Sequence, residues 1–410
     1  MDLPRSAGVL LHVASLPSGR IDRSAYEFVD VIAQLGFRWW QILPISPPDE
    51  TGSPYASPST FAIDPDLVDD IAPVTGDERR AFLAREGHWI DEHVRMMGEQ
   101  SLDEQVRADR TWMALRAYAS RAGVGLIGDL PIYVAPDGVE RRRHPGLFLP
   151  GVVAGVPPDA FTDDGQHWGN PIFDWSAMAA DGYALFVDRL RRLLDQVDVI
   201  RVDHFRGFAG YWAIPEGAAT ARDGHWEIGP GAAPFLAAER SLGRLPLIAE
   251  DLGVITDDVI RLRDDLGYPG IRVAQFAFDG DPGSPHLPHN VGDWCALYTG
   301  THDNDTTAGW WSSLDESRRG FVRDALGAQI ATQEDAARTL TDAVLHAPAR
   351  LAVIPVQDLL GFGSEARLNT PGTLGGNWRW RLPADWRRHL DVGSITATLR
   401  AAGRTSENLP

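Results

Sequence analysis

Residues 199–208 read VIRVDHFRGF. Val199, Ile200 and Val202 make an apolar run with the character of a buried strand, and Arg201, Asp203, His204 and Arg206 then arrive within six positions. Parallel barrels are built this way, because their strands are buried on both faces and their catalytic groups come from the C-terminal strand ends. The same form recurs in LIGDLP (126–131), which delivers Asp129, in LIAEDLG (247–253), with Glu250 and Asp251, and in YTGTHDND (298–305), with His302 and Asp303.

Working outward, eight apolar runs bounded by turn residues are expected as strands: Gly8 to Val13, Phe37 to Leu43, Gly125 to Asp129, Val197 to Asp203, Pro246 to Glu250, Ile271 to Ala277, Trp294 to Gly300 and Arg350 to Pro355. Helical patterns lie between them. Ser24 to Leu35 puts Phe28, Val31, Ile32 and Leu35 on one face and stops at Gly36. Thr256 is placed to cap a helix that opens with Asp257 and Asp258 and closes at Gly267, a charge order suited to the helix dipole. Ser101 and Glu104 have capping-box spacing ahead of Leu115 and Tyr118. Eight strands alternating with helices predict an α/β fold, a (β/α)8 TIM barrel spanning residues 1–410, with a mainly helical subdomain inserted at 44–124 between strands two and three. A doubly wound sheet uses the same alternation and stays open at this level.

The formal net charge of −19 repels nucleic acid, and the one basic run, ERRRHPG from Glu140 to Gly146, reads as a solvated loop. Cys295 is the sole cysteine, which excludes an intrachain disulfide framework or a cysteine-rich metal cage and suits a reducing compartment. No window reaches the unbroken apolar length of a membrane span, and the interrupted apolar start lacks the basic region of a signal peptide. The expectation is a cytoplasmic enzyme with a neutral substrate, without nucleic-acid or membrane partners.

Taken alone, Asp129 or Asp251 serves equally well as a helix N-cap, His204 as a packed core histidine and Arg206 as half of a structural ion pair. Convergence changes the reading, since four strands would otherwise bring carboxylates to one mouth by accident. A metal site from Asp203, His204, His302 and Asp303 would lack paired histidines at ligand spacing. Glycosyl transfer needs one carboxylate as nucleophile and another held protonated as acid and base. Fourteen tryptophans favour a sugar ligand: Trp39 and Trp40 read as core, whereas Trp168, expected in a loop rich in Gly, Asn and Gln (GQHWGNP), reads as a ligand contact.

At these residues the chain resembles the 4-α-glucanotransferase family, also called amylomaltase or disproportionating enzyme and related to the α-amylases. The resemblance runs through LLHVASLPSG, WWQILP, SPYASPS, GDLPIYVA, VVAGVPPDAF, GQHWGNPIFDW, IRVDHFRGF, IAEDLGVIT, QFAFDGDP, LPHN, YTGTHDNDTT and SEARLNTPGTLGGNWRWRL, in order. It implies a (β/α)8 barrel in which Asp203 is the nucleophile, Glu250 the general acid/base and Asp303 the third carboxylate. It further implies sugar contacts at Asp129, Arg201 and His302, a stacking platform at Tyr55, and contacts at Trp168 and Asn369. The implied reaction cleaves an α-1,4-glucan through a covalent glucosyl-enzyme with retention and transfers it to the 4-hydroxyl of an acceptor sugar, with maltooligosaccharides as partners and no cofactor or metal. Residue chemistry accords with those roles: arginines flank Asp203, and LPLIA leads into Glu250 along an apolar path.

Three departures from the family pattern stand out. PDGVERRRHPG (136–146) replaces the usual loop, SPYAS carries Ala56 where an amide is usual, and the segment from Leu67 to Asp109 is short, keeping the last helices of the inserted subdomain. A trimmed groove leaves open a glucan hydrolase or a transglycosylase with altered acceptor choice, and a non-catalytic glucan-binding descendant.

Overall fold

A computed structural model describes residues 3–158, 163–373 and 375–405. The end of the VVAGVPPDAF segment and Leu374 lie outside the described residues. Twelve strands are present among those described: β1 (Ser6–Leu10), β2 (Trp39–Gln41), β3 (Gly125–Leu130), β4 (Phe148–Val156), β5 (Gln166–Phe173), β6 (Val199–Val202), β7 (Gly210–Pro215), β8 (His225–Ile228), β9 (Leu247–Ala249), β10 (Gly270–Val273), β11 (Cys295–Tyr298) and β12 (Leu351–Pro355). Eight of them close a barrel in the order β1-β12-β11-β10-β9-β6-β3-β2. These are the eight expected runs, so the doubly wound alternative falls. The remaining four form an antiparallel sheet, β5-β4-β7-β8, that the apolar pattern did not predict.

By packing, the chain divides into two compact units, Pro44–Ala114 with Gly128–Tyr268 in one and most of the rest in the other. In the first, β6 pairs in parallel with β9 through Ile200↔Leu247 and Val202↔Ala249. Outside the strands, Phe205, Phe208 and Phe235 pack together, with ring centroids of Phe208 and Phe235 4.6 Å apart. Two long helices, Gly76–Met97 and Gln100–Arg121, occupy most of the region expected to be an insertion. The first begins with a complete capping box between Thr75 and Glu78. The second starts before Ser101, whose hydroxyl turns back to the Gly98 carbonyl at 2.6 Å, so Ser101 is not the cap its spacing implied.

Buried Arg192 ties both of these helices and the loop before them to helix Ala184–Gln196. Its Nη1 donates to Glu86 Oε1 (3.1 Å) and Asp109 Oδ1 (2.8 Å), and its Nε to the Phe61 carbonyl at 3.0 Å. Removing either acid would leave a buried guanidinium short of charge compensation, a loss of roughly 3–5 kcal/mol for pairs of this kind.

In the second unit, β1 lies between β12 and β2, with Gly8 opposite both Val353 and Trp39. Gly8 has no freedom to grow a side chain: a Cβ there would stand 2.8 Å from that of Trp39. Trp39 and Trp40 are buried, as their apolar setting implied, and their indole N–H groups donate to Ser6 Oγ and the Leu11 carbonyl. Helix Arg23–Leu35 ends where expected, with Gly36 in the left-handed region at φ 101°. Among the described residues no helix is long and apolar enough to cross a membrane.

Candidate active site

Four charged groups meet where β3, β6 and β9 end. Asp129 is the penultimate residue of β3, Arg201 points from β6, Asp203 follows β6 and Glu250 follows β9. The adjacency is built by the barrel ladder itself, since the Asp203 N–H donates to the Leu130 carbonyl (3.0 Å) and the Glu250 N–H to the Val202 carbonyl (3.0 Å).

Arg201 is the hub. One nitrogen, Nη1, donates to Asp129 Oδ1 (2.9 Å) and Oδ2 (2.7 Å) and to Asp203 Oδ1 (2.9 Å), while Nη2 stands 3.9 Å from Glu250 Oε2. Tyr55 completes the Asp129 shell by donating its hydroxyl to Oδ2 at 2.9 Å. The side chain of Asp129 is fully enclosed, whereas that of Asp203 is 26% exposed. Of the two acids on Arg201 Nη1, Asp203 is therefore the one a ligand can reach, and Asp129 acts as the buried counter-charge.

Glu250 is held by two backbone donors: His204 N–H to Oε2 at 2.7 Å and Leu252 N–H to Oε1 at 2.9 Å. Burial nevertheless pushes its carboxyl up to about 7, with Arg201 pulling it down and Asp203 pushing it further up. The apolar approach LPLIA thus has the consequence expected of it. Burial also raises Asp129, against the pull of Arg201.

His204, treated in sequence as a packing residue, has a backbone role that the sequence did not reveal. It sits in the left-handed region at φ 48°, an uncommon conformation for a side chain of its size, and this turns its N–H onto Glu250. Its ring is half-buried and kept neutral, with the pKa lowered to about 4 by desolvation. The ring meets Trp168 edge-on at 4.9 Å. Trp168 is 37% exposed and lies in strand β5, a correction to the loop expected from its Gly- and Asn-rich neighbours.

Arg206 does not flank Asp203 in space as it does in sequence. The short 3-10 turn Phe205–Phe208 carries it away from Asp203, and its guanidinium lies 4.0 Å over the Trp226 ring. Among the described residues Arg201 is the arginine that pairs with Asp203. Asp251, buried, pairs with Arg263 and is structural.

A second cluster forms after β11. The Asp303 side chain is 43% exposed, and its Oδ1 accepts from Asn369 Nδ2 at 2.6 Å, with His302 Nε2 at 3.4 Å. Asn369, expected as a sugar contact, bonds directly to Asp303. Arg367 binds the pair together by donating to the Asp303 carbonyl (2.7 Å) and to the Asn369 carbonyl (2.8 Å). Sequence reasoning passed over Arg367, although its position two residues before Asn369 in SEARLN was a usable signal. The His302 ring lies beside Trp378 at 5.7 Å and also lines a small pocket with His12, whose pKa is lowered to about 3 by burial and by His302. Among the described residues no group of three or more His, Cys, Asp or Glu is placed to hold a metal ion.

Comparison with known proteins gives a consistent picture. The sequence profile described as 4-alpha-glucanotransferase matches residues 11–97 and 99–386. The 4-alpha-glucanotransferase of Thermus thermophilus is 36% identical over 478 aligned positions, covering 93% of this chain and 95% of that protein. The chloroplastic enzyme of Arabidopsis thaliana is 36% identical over 473 positions, covering 93% and 82%. Both alignments are longer than the 410 residues of this chain, so both relatives carry segments that it lacks. The solved amylomaltase of Streptococcus agalactiae, in complex with acarbose, superimposes with a TM-score of 0.89 at 28% identity, covering 98% of this chain and all of that one.

Proposed function

The chain belongs to the 4-alpha-glucanotransferase family, glycosyl-transferring enzymes that act on α-glucans, and from that membership we propose which residues carry each step. Asp203 attacks the anomeric carbon of the donor while Glu250 gives its proton to the departing 4-oxygen, leaving a covalent glucosyl-enzyme. Glu250, now a carboxylate, takes the proton of an acceptor 4-hydroxyl. That oxygen attacks the same carbon and frees Asp203, and two inversions restore the original configuration. Asp303 binds ring hydroxyls and favours the distorted transition state.

The observation that carries this reading is the division of labour between two neighbouring acids. Asp203 is 26% exposed and paired with Arg201, whereas Glu250 is only 11% exposed and raised to about 7. Asp303 follows the C-terminal end of another strand of the same closed parallel barrel, the end at which such barrels do chemistry. Donor and acceptor are maltooligosaccharides or longer α-1,4-glucans, with Tyr55, Trp168, His302 and Arg201 around the sugar. The single cysteine and the glucan substrate support a cytoplasmic setting.

We place the lost segments at the Gly98 turn between the two long helices, supported by the break in the family match at that residue. The inserted subdomain at 44–124 is then a shortened one, and the groove it walls is more open to water. Incubation with maltotriose tests transfer directly. Glucose with a ladder of longer maltooligosaccharides is the expected result, and glucose with maltose alone would assign the acceptor role to water.

A further inference from the structure

The loop that carries His302 and Asp303 runs from Thr299, the first residue after β11, to Thr307, the first residue of helix Thr307–Ser313. Both ends are tied to one buried carboxylate, Asp358, which lies three residues beyond β12 in the short helix Val356–Leu359. Asp358 Oδ2 accepts from Thr299 Oγ1 at 2.5 Å and from Thr307 Oγ1 at 2.7 Å, and Oδ1 accepts from the Thr307 N–H at 2.7 Å. Gln275 adds outer ties: its Nε2 donates to the Asp305 carbonyl at 3.0 Å and to Thr307 Oγ1 at 3.5 Å, and its N–H to the Thr299 carbonyl at 3.2 Å.

Within the loop, local bonds fix the peptide path: Thr301 N–H and Oγ1 donate to Asn304 Oδ1 (2.8 and 2.9 Å). They do not fix where the loop sits on the barrel. That depends on bonds from outside it: Arg367 on the Asp303 carbonyl, Asn369 on Asp303 Oδ1, and the ties at the two ends, which Asp358 joins through one rigid carboxylate. A short acid is suited to this task, because three donors need two oxygens at one point, which neither a hydroxyl nor an amide supplies.

We infer that Asp358 is a positioning residue for the third carboxylate, setting the place of Asp303 through the ends of the 299–307 loop. The inference rests on the role proposed for Asp303. Asp358 touches no substrate, so its loss acts on turnover through geometry. A misplacement of about 1 Å costs on the order of 100-fold.

The experiment is a double-mutant cycle in disproportionation rate, using a donor with a good leaving group so that slow variants remain measurable. Asp358→Ala is expected to lower kcat by roughly 10- to 100-fold with little change in KM, and Asp358→Asn to recover part of the loss by restoring one acceptor. In an Asp303→Asn background the same Asp358→Ala change should cost less than about 3-fold, because the group it positions is gone. An equal cost in both backgrounds, or an unchanged kcat in Asp358→Ala, would overturn the inference. Full activity of Asp303→Asn by itself would instead remove the role assigned to Asp303. Should Asp358→Ala fail to fold, Thr299→Val removes one tie at nearly constant shape and enters the same cycle with the same expected non-additivity.

Discussion

The backbone N–H of His204 donates to Oε2 of Glu250 at 2.7 Å. The residue after the proposed nucleophile therefore holds the proposed acid/base, and the two carboxylates keep their mutual position through main chain rather than through long side chains. The left-handed turn at His204 makes this possible.

On the proposed assignment, Glu250 sets the basic limb of the pH profile. Its carboxyl, raised to about 7, must be protonated to release the leaving group, so kcat/KM should fall as pH rises through about 7. Because Glu250 and Asp203 interact, the apparent midpoint belongs to the pair. Glu250→Gln should abolish that limb for donors with good leaving groups and nearly abolish turnover of maltooligosaccharides. Steady-state rates between pH 5 and 9 check both statements, and a Glu250→Gln profile that keeps the wild-type limb would contradict the assignment.

Arg201 compensates two acids with one nitrogen. Arg201→Ala leaves buried Asp129 without its counter-charge and is expected to cost roughly 3–5 kcal/mol of stability. Arg201→Lys keeps the charge but loses the planar fork, so activity should drop even where the fold survives. Chemical denaturation alongside initial rates separates these effects.

Asn369 holds Asp303 through a 2.6 Å bond. Asn369→Ala should reduce kcat by about 10-fold with little change in thermal stability. Asn369→Asp sets one carboxylate against another and should be worse than Ala at pH 7, recovering as pH is lowered and one of the two acids protonates. Rates of both variants at pH 5 and 7 decide the point.

Barrel strands were legible because residues buried on both faces make unbroken apolar runs, as in Val199–Val202 and Leu351–Pro355. The antiparallel sheet was not. Its strands are broken by Pro150 and Gly151 in FLPGVVAGV and by Gly169 and Pro171 in QHWGNPIF, and all four residues of HWEI are exposed. Strand-end acids were legible for the same reason as the strands, whereas the partners of each acid were not. Arg206 stands as close to Asp203 in sequence as Arg201 does in function, yet a 3-10 turn sends it to Trp226. Nothing in the letter H reveals that His204 would serve Glu250 through its backbone.

The most direct test of the account is to trap the intermediate. Glu250→Gln incubated with an α-glucosyl donor bearing a good leaving group should accumulate a glucosyl ester, because the first displacement proceeds while acceptor activation fails. Peptide mass spectrometry should find the added hexose on the carboxylate of Asp203. A hexose on any other residue, or turnover to an inverted product with no adduct, would contradict the assignment of Asp203 as nucleophile.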